Sequence, residues 1–222
     1  MRCKKSEKLQ NVAACFLVGH WYNLNKKEIR LQIKDLCLKN KTQLAEKSAA
    51  ICKKILASSE YQNAQIIFAY MALPDEVDLS EVIKQALQDG KKVALPKIIS
   101  KTDGIMQFFY LDPQKALAQQ TSSGAYGIPE PDENLPAAPD PTLKTLILVP
   151  GRAFTKDGDR LGRGKGYYDR YLGDGLLRCA RNDGKRPNIT FAGVCFDFQI
   201  KKSLPVDDRD VKMDVVYTTS QE

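Results

Sequence analysis

A chain of 222 residues with 43% hydrophobic and 27% charged side chains has a soluble globular composition and room for one domain with a sizeable core, which excludes disordered and fibrous classes. No apolar run approaches the ~20 residues that span a bilayer, so a transmembrane reading is removed. The net charge of +7 is confined: residues 1–60 carry 13 Lys or Arg against 5 Asp or Glu, while the other 162 carry 21 against 22, so the excess belongs to the N-terminal segment and its helices.

Residues 1–25 begin basic and turn apolar only from Val12 to Gly19, a stretch at the lower limit of a signal-peptide core and followed by no clean cleavage site. They are expected to be an extension outside a single α/β domain at 26–222. From Lys26 the pattern is helical, with Ile29, Ile33, Leu36 and Cys37 on one face, and Leu44, Ile51, Cys52, Ile55 and Leu56 on the face of a second helix. The apolar run AQIIFAYMAL, 64–73, predicts a buried strand ended by Pro74. DLSEVIKQALQDG, 78–90, predicts a helix with an Asp78–Glu81 capping pair and Gly90 as its stop.

Strands are then predicted over KKVALP, 91–96, and MQFFYL, 106–111, and a Pro- and Gly-rich segment at 124–141 is too long for a simple turn. TLILVPG, 145–151, reads as a central buried strand, and NITFAGVCF, 188–196, and DVVYT, 214–218, as later ones. Strands alternating with helices predict a three-layer α/β/α fold, a mostly parallel sheet with helices on both faces. Ligands of such sheets sit beyond the carboxyl ends of strands.

Six scattered cysteines without a C-x-x-C pair support neither a zinc site nor a disulfide scaffold, and read as reduced thiols of a cytoplasmic protein. The one histidine, His20, lies in the peripheral segment, so chemistry falls to carboxylates, Lys, Arg and backbone amides.

The segment that follows TLILVPG, DGDRLGRGKGYYDRYL at 157–172, concentrates that chemistry. Gly162, Gly164 and Gly166 permit positive φ and close backbone approach, so successive amides can form an anion-binding concavity. Arg160, Arg163 and Lys165 surround it with positive charge, and a helix starting near Tyr167 would add its first amides. Neither the Walker pattern nor the dinucleotide fingerprint fits the spacing, and a glycine-rich surface turn with solvated charges explains the glycines equally well. Tyr167 and Tyr168 offer faces to a heterocycle, and Asp169 a carboxylate to Mg²⁺ against phosphates. Core packing for one tyrosine and a helix-start acid for Asp169 are the competing explanations.

VPGRAFTKDGDRLGRGKGYYDRYL, 149–172, resembles the signature of the 5-formyltetrahydrofolate cyclo-ligases, also called methenyltetrahydrofolate synthetases. The resemblance extends through KKEIR at 26–30, DEVDLSEVI at 75–83, GIPEP at 127–131 and LPVDDRDVKMDVV at 204–216. It implies that Lys26, Lys27 and Arg30 help bind ATP, and that Arg160, Leu161, Gly162, Arg163, Gly164, Lys165, Gly166, Tyr167 and Tyr168 wrap its phosphates. It also implies Mg²⁺ ligands at Asp169 and Asp210, a reduced-folate site at Leu73, Glu76, Asp78, Tyr167 and Tyr168, and catalytic charge on Lys165 and Arg163. Arg152 and Thr155 depart from the family, which often has an aliphatic and an acidic residue there.

The implied reaction closes 5-formyltetrahydrofolate to 5,10-methenyltetrahydrofolate with release of ADP and phosphate. A formamide oxygen is a poor leaving group, and phosphorylating it makes its carbon open to attack by N10, a task of positioning and charge neutralisation that needs no histidine. The expected partners are ATP and a reduced folate, polyglutamylated or not, acting on a monomer without membrane or nucleic acid. Two alternatives stand beside it: a single-stranded nucleic-acid binder using the basic helices and RGKGYYDRY, and a catalytically silent nucleotide-binding relative.

Overall fold

The computed structural model describes residues 25–138, 143–176 and 188–219; the expected extension, but for Asn25, lies outside them. The first helix, α1 (Lys26–Lys39), starts where the sequence supplies a capping box: Asn25 Oδ1 accepts from the amides of Lys27 and Glu28, and the Glu28 carboxylate accepts from Asn25 N. Its buried stripe is Ile29, Ile33 and Cys37. α2 (Leu44–Ala57) buries Leu44, Ile51, Cys52 and Ile55, and the short α3 (Ser59–Asn63) is capped by Ser58.

β1 (Ile66–Phe68) is shorter than the apolar run that predicts it. Only Ala69 keeps a ladder bond beyond it, to Ala94, before the chain passes the carboxyl edge of the sheet with Ala69 and Tyr70 still buried. α4 (Ser80–Gln88) buries Val82, Ile83 and Ala86. The expected Asp78–Glu81 capping pair does not form. Asp78 instead accepts from the amide and hydroxyl of Ser80, a local turn two residues long, which leaves Leu79 at the cap. β2 (Lys92–Ser100) runs longer than predicted, β3 (Ile105–Tyr110) has the predicted length one residue earlier, and the two form an antiparallel hairpin.

The described part of the long Pro-rich segment holds two short strands. β4 (Thr121–Ser123) pairs with β5 (Pro129–Pro131) across a turn, and Ala138 donates back to Phe108 O. β6 (Thr145–Pro150) is central, as its composition predicts. It is followed by β7 (Ala153–Thr155), β8 (Arg160–Leu161) and a one-turn α5 (Tyr167–Arg170) that widens into a π-turn over Tyr171–Leu176. β9 (Ile189–Val194), β10 (Ile200–Lys201) and β11 (Val215–Tyr217) complete the described strands.

The main sheet has the order β11–β9–β6–β1–β2–β3, parallel at every pair except β2 with β3. Strand alternation sends Ile67, Val93, Leu146 and Ala192 to one face, where α2, α3 and α4 cover them with Ile51, Ile55, Tyr61, Val82 and Ile83. Ile66, Phe68, Ala94, Ile147 and Phe191 face the other way, onto Phe154, Phe108, Met213 and Leu172 of the π-turn. The sheet is therefore α/β with helical cover on both faces, deep on one and a few turns on the other among the described residues. A small sheet, β10–β7–β8, stands beyond the carboxyl edge and carries α1 on Ala153, Leu161 and Leu204. That docking brings Lys26 and Arg30 of α1 toward the glycine segment.

Candidate active site

A cleft with about 820 Å³ of empty space, open solvent included, lies past the carboxyl ends of β1 and β6 and along β2. Its floor is apolar, from Met71, Pro96, Ile98 and Met106; its other walls are Glu76, the Ile128–Glu130 stretch, and the glycine segment from Arg160 to Asp169. The segment reaches this position because β7 and β8 turn it back over the end of β6, with Arg152 N donating to Leu161 O.

Gly164 and Gly166 have φ of +98° and +69°, a left-handed backbone that favours glycine. Close approach is a second reason for both. A Cβ on Gly164 would stand 3.3 Å from Cζ of Arg30, and one on Gly166 would stand 2.9 Å from Nη1 of Arg170. Gly162 is not among the positive-φ glycines; its carbonyl instead accepts from Arg30 Nε at 2.9 Å.

The cations of this loop are held unequally. Arg160 is 4% exposed, pairs with Asp169, donates to Pro150 O and lies over the Tyr168 ring at 5.8 Å. Arg163 bridges two carboxylates of the loop after β1, with Nη2 on Asp75 and Nε on Glu76 at 2.7 Å. Burial lowers the Arg163 pKa, but the Glu76 and Asp75 charges outweigh it and raise the net value, so its charge is fixed. Lys165 is exposed and makes no ion pair among the described residues, while its carbonyl is held by Arg170, which also grips Gly104 O of the β2–β3 turn. Lys165 thus lines, with no ion pair among the described residues, a cleft whose arginines at 160 and 163 are engaged.

Three hydroxyls complete the lining. Those of Tyr70, Tyr167 and Tyr168 are buried without a partner that meets hydrogen-bond geometry, as is Arg160 Nε. Burial pushes the Tyr70 and Tyr168 pKa values well above the ordinary phenol, and burial with the neighbouring Tyr126 hydroxyl pushes Tyr167 up to about 12. All three are neutral donors at physiological pH. Each buried donor left unpaired costs about 1–3 kcal/mol, so such a group at one cleft marks a surface shaped for polar ligand atoms.

The structure gathers Leu73, Glu76, Arg160, Gly162, Arg163, Lys165, Gly166, Tyr167, Tyr168 and Asp169 on one lining. Gly164 and Arg30 are close to each other but are not among its lining residues. Leu161 is instead packed under α1, Lys27 is exposed on α1, and Asp78 is turned toward Ser80 and α4. Lys26 and Asp210 meet each other: Lys26 Nζ lies 2.7 Å from Asp210 and 2.9 Å from Asp207. Asp75, Tyr70, Met71, Ile98 and Met106 were not singled out by sequence. Asp75 adjoins the quoted Glu76, but nothing local marks which of two adjacent carboxylates faces an arginine 88 positions away.

For a divalent cation, no group of three or more His, Cys, Asp or Glu side chains able to hold one occurs among the described residues. Asp169 lines the cleft beside Arg160 and fits a hydrated Mg²⁺ that arrives on phosphate oxygens, the usual arrangement for this ion. Asp210 has one oxygen taken by both Lys26 and the Asp207 amide, so ligating there with that oxygen requires exchange of Lys26.

Fold and cleft define an open α/β protein with a candidate ligand cleft at the carboxyl edge of a mostly parallel sheet. The model of the 5-formyltetrahydrofolate cyclo-ligase family matches residues 23–219. Mouse (Mus musculus) 5-formyltetrahydrofolate cyclo-ligase is 33% identical over 196 residues, 87% of this chain and 93% of the mouse protein. A probable 5-formyltetrahydrofolate cyclo-ligase of Schizosaccharomyces pombe is 33% identical over 175 residues, covering 77% and 83% of the two chains. The solution structure of Aquifex aeolicus 5,10-methenyltetrahydrofolate synthetase superposes with a TM-score of 0.71 at 26% identity, over 88% of this chain and 90% of that one. The chain belongs to the 5-formyltetrahydrofolate cyclo-ligase family.

Proposed function

We propose that this protein uses ATP to close 5-formyltetrahydrofolate to 5,10-methenyltetrahydrofolate, releasing ADP and phosphate. The observation that carries this reading is one cleft lined both by a glycine-loop lysine without an ion pair among the described residues and by buried tyrosine hydroxyls without partners, over an apolar floor. The cationic loop suits a triphosphate, and the apolar floor with its neutral donors suits a flat, polar-edged pterin.

In the proposed sequence the amides and cations from Arg160 to Gly166 hold the phosphates, with Lys26, Lys27 and Arg30 approaching from α1. Leu73, Glu76, Tyr167 and Tyr168 hold the folate, and Asp78 supports the loop that carries Glu76. The formyl oxygen takes the γ-phosphoryl group, ADP leaves, and N10 attacks the activated carbon. Phosphate departs with that oxygen, and the N10 proton is lost to solvent. Lys165 is free to follow the charge on the moving phosphoryl, a role worth about 10²–10³ in rate for one well-placed donor. Arg163 is its second cation. Mg²⁺ would supply charge neutralisation to the phosphates, with Asp169, and Asp210 once Lys26 gives way, as the carboxylates that would hold it.

The buried free thiols of Cys37, Cys52 and Cys195 support a reducing, cytoplasmic setting. No helix among the described residues is long and apolar enough to cross a membrane. Among the described residues, exposed large apolar side chains are few and spread over α1, the β2–β3 hairpin and loops, which favours a monomer. Mixed with Mg-ATP, the protein should release ADP only when 5-formyltetrahydrofolate is present, with one methenyl product per ADP, read by near-ultraviolet absorbance. Full-rate ADP release without folate, or folate binding with no absorbance change, overturns the assignment.

A further inference from the structure

Asp75 joins the two halves of the cleft. One of its oxygens takes Arg163 of the glycine loop and the other takes Arg152, just past β6. The adjacent Glu76 takes Arg163 Nε with one oxygen at 2.7 Å and the Leu73 amide with the other at 3.0 Å. The turn is further fixed by Glu76 N donating to Leu73 O, and by the Cys37 thiol of α1 against Asp75 O. Two carboxylates and two guanidiniums thus form a neutral cluster that ties the loop proposed to touch folate to the loop proposed to hold phosphate. Arg163, a cation assigned to the moving phosphoryl, is turned toward the folate side.

The geometry points to Asp75 as a positioning residue that parks Arg163 away from the phosphates until folate binds, making ATP use conditional on folate. This rests on the cyclo-ligase reading. A pterin presents adjacent N–H donors to a carboxylate, so folate at Glu76 removes one of the two partners of Arg163. Asp75 then holds the guanidinium alone, through Nη2, shared with Arg152. A triphosphate competes far better for an arginine held by one shared carboxylate than for one held by two. In the parked state the γ-phosphoryl lacks one of its two cations, which suppresses transfer to water when no folate is present.

The two partners of Asp75 give opposite tests. Asp75→Asn keeps the volume but weakens the hold on Arg163, by about five- to tenfold in the parked population for a half-buried pair. Arg152→Met frees Asp75 for Arg163 alone and strengthens the hold. The expected readout is stoichiometry in wild-type and variant enzyme: ADP formed per methenyl product stays at about one in wild type and Arg152→Met, and rises to about two or more in Asp75→Asn. Arg152→Met should instead raise KM for ATP at unchanged stoichiometry, and Asp75→Glu should return the ratio toward one. A merely structural Asp75 lowers ADP and methenyl formation together with the ratio still at one, and that result overturns the latch. If wild-type enzyme makes no methenyl product at all, the cyclo-ligase reading itself has failed, whatever the variants do.

Discussion

The helix-covered face of the sheet and the cleft at its carboxyl edge are built from similar residues under opposite rules. Under α2, α3 and α4 the buried set is apolar, and most polar atoms there find partners: Tyr61 donates to Asp89, Ser58 to Ile55 O, and the Cys52 thiol to Asp78 O, with the hydroxyls of Thr218 and Thr219 past β11 as exceptions. At the cleft, three tyrosine hydroxyls and an arginine nitrogen are buried without partners, and a lysine is left without an ion pair among the described residues. Folding alone gains nothing from such atoms, since each buried donor without a partner is a net loss. The contrast separates what stabilises the chain from what is held ready for a ligand.

Four substitutions or conditions break or sharpen that contrast. The largest effect on folding is expected on the helix side. Phe196→Ala deletes a fully buried ring stacked on Phe198 and should cost about 3–5 kcal/mol, read as a lower urea midpoint at unchanged slope. A loss below about 1 kcal/mol would show that this face is not the stabilising core.

On the cleft side the effect should fall on rate instead. Lys165→Met is expected to lower turnover by about 10²–10³ while leaving the urea midpoint and folate affinity near wild type. Equal losses in folate binding and turnover would remove the assignment of its ammonium to the phosphoryl group.

Tyr168→Phe should then move stability and activity in opposite directions. Removing the buried, unpaired hydroxyl from a ring packed against Phe108 and Arg160 is expected to stabilise by up to about 1 kcal/mol, with weaker substrate binding. Destabilisation by more than that would mean the hydroxyl has a partner in the ligand-free fold.

The smallest expected effect is on acid stability. Burial pushes the Asp75 carboxyl up, but the guanidiniums of Arg163 and Arg152 outweigh it and hold it below the ordinary value. A depressed folded pKa contributes stability that is complete above the unfolded value of about 3.9 and is lost as pH falls through the folded one. The gap in urea midpoint between wild type and Asp75→Asn should therefore close below about pH 4. A gap that stays constant down to the lowest pH would detach Asp75 from its arginines.

The amino-acid sequence by itself determined the two amphipathic helices, the central strand at 145–151, the position of the glycine loop after it, and the membership that the loop's signature carries. Those features are written at short range: an apolar stripe every 3.6 residues, a continuous apolar run for a buried strand, glycines where the backbone must turn left. It located both halves of the cleft, at Glu76 and at Arg160–Asp169, without saying how they meet. Tertiary structure alone decided that Arg163 rests on Asp75 and Glu76, 88 and 87 positions away, and that Lys26 pairs with Asp210 across 184. It also decided which tyrosine hydroxyls are left unpaired, and that Asp78 turns to Ser80 rather than to the first turn of α4. The physical reason is one of range: periodicity and turn chemistry act over a few residues, whereas the partner of a charge depends on which loops the sheet order brings to the same edge.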